Sequence, residues 1–167
     1  MVSGPTNVEA VGLGWDLHRL EAGRPLILCN VTIPFDKGLS GHSDADVALH
    51  ALTDALLGAA GLGDIGEKFP PGDPKWAGAD SGRLLKMALQ DVTQAGWGIV
   101  NVDVTIVAEQ PKMMAHKPRM RQRLAELLAI PPQRVNIKAK TSEGVDAVGQ
   151  GLAISAFAVV GLGRIGM

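Results

Sequence analysis

The sequence predicts an α+β fold: a mixed β-sheet with three helices packed on one face, in a single domain spanning residues 1–167. Three observations lead there. Segments with strand-like alternation are interleaved with stretches at helical spacing. The helical stretches are long enough to act as crossovers between strands of one sheet, which favours helices stacked on a face rather than a pure β fold. A composition of 46% hydrophobic and 20% charged residues suits one full core and leaves no room for two ordinary ones. Residues 1–7 are expected to form a disordered start ahead of that domain.

The first strand is expected over Val8 to His18, where VEAVGLGWDLH reads as extended despite its glycines. Residues 26–28 and 31–33 flank Cys29-Asn30, a tight hairpin turn because Asn tolerates positive φ. The first helix takes Ser43 as N-cap with Asp46 three residues on, carries Val47, Leu49, Leu52, Leu56 and Leu57 at helical spacing, and ends near Gly58 to Gly61. Gly61 to Asp80 is rich in Gly, Pro and Asp, and so long a loop in a compact domain is the mark of an active-site loop.

A second helix is capped by Asp80 or Ser81, runs through Leu84, Leu85, Ala88, Leu89 and Val92, and stops before Gly96. Asn101 to Ala108 alternates as a strand. A third helix spans roughly 117 to 129, with Pro118 in its first turn, a stripe of Met120, Leu124, Leu127 and Leu128, and Pro131-Pro132 beyond its end. Val135 to Ala139 and Leu152 to Leu162 complete the sheet, the latter apolar enough to be buried.

The 16 basic and 17 acidic residues leave a net charge of -1, which gives no global attraction for nucleic acid or an anionic membrane. One cysteine, Cys29, excludes an internal disulfide framework, and no apolar run approaches the roughly 18 residues of a spanning helix. The first ten residues show neither a secretory signal nor a transit peptide, so a cytoplasmic setting is expected, or the plastid stroma if a transit peptide has been removed.

The chemistry concentrates in two short stretches. Asp16 and His18 stand two apart on a strand, so both side chains leave one face. His42 lies just before the first helix, Asp46 on its first turn and His50 one turn on, so Asp46 and His50 share a face. Carboxylate and imidazole ligands without thiolate are the set of a catalytic divalent site, and they suit zinc better than magnesium. Spacing alone leaves His42 and His50 open as third ligand.

Two glycine-rich motifs are decoys. GLGRIG (161–166) has no following helix to present amide groups to a pyrophosphate, and in GLGDIGEK (61–68) Glu67 stands where a phosphate loop needs lysine. Lys112, in the loop after a strand, is a point charge suited to phosphate, and Thr141, Ser142 and Glu143 offer hydroxyls and a carboxylate at the end of another. No nucleophile is paired with a base.

The stretches GWDLHRL, GHSDADVALHALTDALLGAAGLGDIGEKFP, NVDVTIVAEQPKM and VNIKAKTSEG together resemble the 2-C-methyl-D-erythritol 2,4-cyclodiphosphate synthase family, over nearly the whole chain from about Val8. The resemblance implies a homotrimer with active sites between subunits, zinc on Asp16, His18 and His50, and magnesium (or manganese) held with the help of Glu143. It implies that His42 contacts substrate phosphate, with Ser43 beside it, and that Thr141 supports the transition state next to Ser142. Asp64, Ile65 and Gly66, with Phe69 to Asp73, are implied as contacts of the methylerythritol unit. Ala108 to Met114, including Lys112 and Met113, is implied as the cytidine-diphosphate pocket contributed by a neighbouring chain.

The implied reaction closes 4-diphosphocytidyl-2-C-methyl-D-erythritol 2-phosphate into a cyclic diphosphate and expels CMP. Lys140, Ala147, Gln150 and Leu152 depart from the commonest family pattern, so the resemblance does not carry over the isoprenoid-diphosphate binding in the central cavity proposed for some members. Two other readings of the residues are a zinc-dependent phosphate-ester hydrolase and a non-catalytic trimeric nucleotide-binding module.

Overall fold

A computed structural model describes residues 4–166. Its longest strand, β1 (Ala10–Ala22), turns Gly12, Gly14, Asp16 and His18 inward and Val11, Leu13, Trp15 and Leu17 outward. Helix α1 (Val47–Ala60) lies directly on the inward glycines. A Cβ on Gly14 would sit 1.8 Å from the carbonyl oxygen of Ala51, and one on Gly12 would sit 2.0 Å from that of Ala55. Only glycine admits so close an approach, and the approach is what carries the first turns of α1 to the strand.

The other elements follow in chain order. A hairpin of β2 (Leu26–Leu28) and β3 (Val31–Ile33) precedes the short strand β4 (Lys37–Leu39). After α1 come α2 (Ile65–Lys68), α3 (Ser81–Gln94), β5 (Trp97–Val107), α4 (Lys117–Leu128), β6 (Val135–Lys140), α5 (Asp146–Gly149) and β7 (Ala153–Arg164). The main sheet is mixed, in the order β4-β1-β7-β5-β6, with every pair antiparallel except β5 and β6, which α4 connects. Helices α1, α3 and α4 share the main core with one face of this sheet. The single-domain α+β expectation holds.

Several sequence readings need correction. β1 begins at Ala10 and continues past His18 to Ala22, because β4 pairs with its far end. β4 itself was not foreseen, being three residues with a central glycine. The long loop contains α2 and a 3-10 turn at Pro74–Trp76. Ser43 is not the cap of α1. Asp46 is, accepting from the Leu49 N–H at 3.1 Å, while the Ser43 hydroxyl accepts from Ala45 two residues on.

Nor does Asp46 share the ligand face with His50. Its fully buried carboxylate accepts from the N–H groups of Cys29 (3.0 Å) and Asn30 (2.6 Å), which both stand at positive φ in the hairpin turn. Burial pushes this carboxyl up to about 7, against the pull of the backbone donors. Of the start expected to be disordered, residues 1–3 lie outside the described residues, and the Pro5 carbonyl accepts from Arg134 at 3.2 Å.

Candidate metal centre and adjoining cavities

Asp16 and His18 reach inward from β1, and His50 comes down from the first turn of α1. Asp16 Oδ2 is 2.9 Å from His18 Nε2 and 3.1 Å from His50 Nδ1, and the two ring nitrogens are 3.1 Å apart. These three atoms form the one group of converging ligands found among the described residues. Asp16 Oδ1 is turned aside to accept from the Leu17 N–H at 2.9 Å. His18 Nδ1 donates to the Ser40 carbonyl at 2.6 Å, which leaves the Nε2 lone pair facing the cluster.

A triangle this tight needs positive charge at its centre. Burial works to raise the Asp16 carboxyl, yet hydrogen bonds and charge from His18 and His50 outweigh it and hold the group well below the usual carboxylate range. Burial likewise opposes a charged His18 ring, and the Asp16 carboxylate more than offsets this, raising the imidazole above its ordinary value. A tetrahedral zinc ion with bonds of about 2.0–2.1 Å sets its ligand atoms roughly 3.3 Å apart. The observed separations approach that spacing, and the open side faces a cavity, so the donor set fits a divalent ion with a position left for a ligand.

That cavity, about 230 Å³, has two kinds of wall. Asp16, His18, His42, Ser43, His50 and Asp54 make the polar side, and Ile65, Gly66, Phe69, Pro71, Trp76 and Leu84 the apolar one. Phe69 and Trp76 meet edge-on with centroids 4.9 Å apart, and with Leu84 they form a small core of their own beneath the loop. The segment before α1 is held by Arg24, which donates to the carbonyls of Gly41 and Ser43, and it ties down the loop in turn, the His42 carbonyl accepting from the Gly78 N–H at 2.8 Å. His42 therefore lies on the exposed rim, its ring nitrogen 3.3 Å from the Asp73 carbonyl, and not in the ligand triangle.

The carboxylates of the loop serve as caps. Asp64 accepts from Glu67 at the start of α2, and Asp73 from Lys75 in the 3-10 turn. Ile65 and Gly66 line the cavity, whereas Asp64 and Asp73 do not.

Sequence reasoning missed Asp54. It stands one turn after His50 on α1, so the spacing that paired Asp46 with His50 was available to find it. Its Oδ1 accepts from Ile65 N–H at 2.7 Å, and burial raises the carboxyl above its ordinary range. Trp76 and Leu84 were missed because nothing in an apolar pattern separates a cavity wall from core.

The remaining candidates gather elsewhere. Ala108, Lys112, Met113 and Thr141 line a second cavity of about 180 Å³, together with Pro111, Met114, Ala139 and Lys140, and no residue is common to both cavities. Ser142 N–H donates to Glu109 at 2.7 Å, clamping this loop to the end of β6. Lys112 Nζ touches only the Glu109 carbonyl, at 3.3 Å, and Thr141 and Glu143 are exposed. One chain thus presents the predicted residues as two separate groups. Beside them lies a third feature: the outward face of β1 and β7 exposes Val11, Leu13, Trp15, Leu17, Phe157 and Val159, a contiguous apolar patch in which Trp15 pairs with Phe157.

Comparisons with known proteins bear on all of this. The profile of the YgbB family matches residues 10–163. The 2-C-methyl-D-erythritol 2,4-cyclodiphosphate synthase of Synechococcus sp. (strain JA-2-3B'a(2-13)) is 57% identical over 150 residues, 90% of this chain and 96% of its own. The structure of the bifunctional IspDF from Campylobacter jejuni matches with a TM-score of 0.91 at 39% identity, over 95% of this chain and 43% of that one. A 2C-methyl-D-erythritol-2,4-cyclodiphosphate synthase in a CDP-bound form matches with a TM-score of 0.85 at 42% identity, over 92% and 99%.

Proposed function

The chain belongs to the YgbB family and is a synthase of non-mevalonate isoprenoid biosynthesis, and from that premise we propose that it cyclises 4-diphosphocytidyl-2-C-methyl-D-erythritol 2-phosphate, releasing CMP, at a zinc site made by Asp16, His18 and His50. The observation that carries this reading is the meeting of Asp16 Oδ2, His18 Nε2 and His50 Nδ1 at the wall of a half-polar, half-apolar cavity.

In the reaction an oxygen of the substrate's own 2-phosphate attacks the β-phosphorus, and the bond from that phosphorus to the CMP oxygen breaks, with the electron pair leaving on CMP. The protein then needs no nucleophile: the Ser43 hydroxyl does stand 3.1 Å from His50 Nε2, a pairing the sequence did not show, but the other nitrogen of that ring belongs to the proposed metal site rather than to a base. A zinc ion held by the triad supplies positive charge to the diphosphate.

The chain's own residues do the folding of the substrate. Ile65, Gly66, Phe69 and Trp76 receive the methylerythritol unit on the apolar wall, and Asp54 offers its second carboxylate oxygen to a hydroxyl. His42 and Ser43, on the rim, donate to phosphate oxygens. Holding attacking oxygen and phosphorus at near-attack distance is worth several orders of magnitude without covalent help from the protein.

The cytidine-diphosphate end belongs in the second cavity, with Lys112 as a point charge, Ala108 and Met113 as floor, Thr141 and Ser142 as donors and Glu143 as a carboxylate for magnesium. Two related structures are CDP complexes, which supports a site of this class. Because the two cavities share no residue, the proposal places each active site between two subunits of a homotrimer. The apolar outer face of β1 and β7 supports that assembly, since monomers rarely leave so continuous a patch to water.

Phosphorus NMR of the protein with zinc, magnesium and the cytidyl substrate tests the reading. The expected products are a cyclic diphosphate and CMP in equal amounts. Free phosphate or an open diphosphate instead would establish a hydrolase, and an unchanged substrate that nevertheless binds would establish a nucleotide-binding module.

A further inference from the structure

We infer that Asp44 and Ser81 are positioning residues for His50, a carboxylate-hydroxyl relay that fixes which ring nitrogen faces the metal. The inference deepens the metal reading above and rests on it.

The two histidines of the triad are oriented by different means. His18 is settled by the Ser40 carbonyl, which can only accept, so Nδ1 carries the proton. His50 has no such partner. Its Nε2 lies 3.1 Å from the Ser43 hydroxyl and 3.0 Å from the Ser81 hydroxyl, and a hydroxyl both donates and accepts, so these contacts alone leave the tautomer open.

Asp44 removes the ambiguity. Ser81 Oγ donates a hydrogen bond to Asp44 Oδ1, and a carboxylate there can only accept. The carboxylate is itself fixed by the N–H groups of Asp46 (3.2 Å) and Ser81 (3.1 Å). The single proton of Ser81 is thereby committed, and its oxygen has only lone pairs to offer His50. Nε2 must then carry hydrogen, and the bare lone pair of Nδ1 points at Asp16 Oδ2 and His18 Nε2.

Ser81 is 1% exposed, which leaves no room for bulk water to take its place. Ser43 plays no part in this choice: its oxygen accepts from Ala45 N–H, and its proton stays free for a ligand in the cavity. Since Ser81 opens α3 and Asp44 precedes α1, the relay also fixes the distance between the two helix starts that frame the cavity.

The test measures zinc affinity by competition with a chromophoric chelator, with the visible spectrum of the cobalt(II) protein as a second signature. Ser81→Ala and Asp44→Asn are each expected to weaken zinc about 10- to 100-fold, the range typical for loss of an outer partner of a metal-bound histidine. The double variant is expected to be no weaker than the poorer single one, because both act along one path. Ser81→Thr, which keeps the hydroxyl, should restore affinity, and Ser43→Ala should leave it within about twofold.

Thermal melts of the metal-free variants establish that each is folded, and Asp44→Asn serves if a change at buried Ser81 prevents folding. If wild-type protein binds zinc and Asp44→Asn binds it equally well, or if Ser43→Ala is the variant that loses affinity, the relay is wrong while the metal site stands. If wild-type protein takes up no zinc, the metal reading falls and the relay with it.

Discussion

Around Asp16, His18 and His50 the polar atoms have partners within the chain, whereas around Lys112, Thr141 and Glu143 few do. The first region is built by β1 and α1 in glycine-mediated contact, its ring nitrogens in contact with Ser40 and Ser81. The second is a loop clamped at one point by Glu109, with a lysine resting on a carbonyl and a threonine and glutamate open to solvent. The difference teaches that one wall of the proposed site is preorganised inside a single subunit while the other waits for a ligand or a neighbour. Substitutions in the first should abolish function, and those in the second should weaken it.

Asp16→Ala sets the upper end of that scale. Removing the carboxylate takes one ligand and the charge that draws a cation, so zinc should be lost. Turnover should fall at least about 1000-fold, in line with the several kcal/mol of charge stabilisation a metal provides. Because Asp16 faces inward and the apolar patch faces outward, the proposed trimer should survive. Metal analysis and size-exclusion chromatography on one sample decide the point, and an Asp16→Ala protein that dissociates as it loses metal would make the site structural.

Lys112→Ala probes the second region and should act more mildly. An exposed lysine meeting a phosphate contributes equally to bound substrate and transition state, so KM should rise about tenfold with kcat within about twofold. Steady-state kinetics at varied substrate separate the two constants. An unchanged KM would remove Lys112 from the nucleotide pocket.

The contrast also explains what the sequence made legible. The order of the longer strands and helices and the shared face of Asp16 and His18 are set by periodicity, which is local, and they were readable, whereas β4, α2 and α5 are too short to show a period. The third ligand was not, because it depends on α1 pressing against Gly12 and Gly14, a close approach that a glycine in a strand signals without naming its partner. Asp46 misled for a related reason: on α1 it has the spacing of a ligand, and only the tertiary structure shows that the Cys29-Asn30 turn claims it. Asp54 had the right spacing and was passed over, while Ser81 and Asp44 are 37 residues apart and become partners only after folding. Lys112, Thr141, Ser142 and Glu143 were legible only as candidate phosphate and cation contacts, and their assignment to a nucleotide pocket came from resemblance, since a lysine after a strand and a turn of hydroxyls have no pattern of their own.

The smallest effect should be a pH dependence of stability confined to the first region. His18 is raised above its ordinary value by the Asp16 carboxylate against the cost of burial, so in the metal-free protein its contribution is fully present below about pH 6.5 and is lost as pH rises through the folded value. Asp46 acts with the same sign. Burial raises it to about 7, so the folded state holds a proton that the unfolded chain releases near pH 4, and stability declines between those values. The unfolding midpoint of the metal-free protein should therefore fall from about pH 6 to about pH 8, by roughly 2–4 °C for each kcal/mol lost in a domain of this size. Zinc, in place of the proton at the triad, should remove the His18 part, and Asp16→Ala should remove it too, because the carboxylate that raises the imidazole is gone. Asp46→Asn should remove the rest. Lys112→Ala should leave the whole profile intact, and a metal-free midpoint that rises over this range would show that charge at the triad is not what the fold has to accommodate.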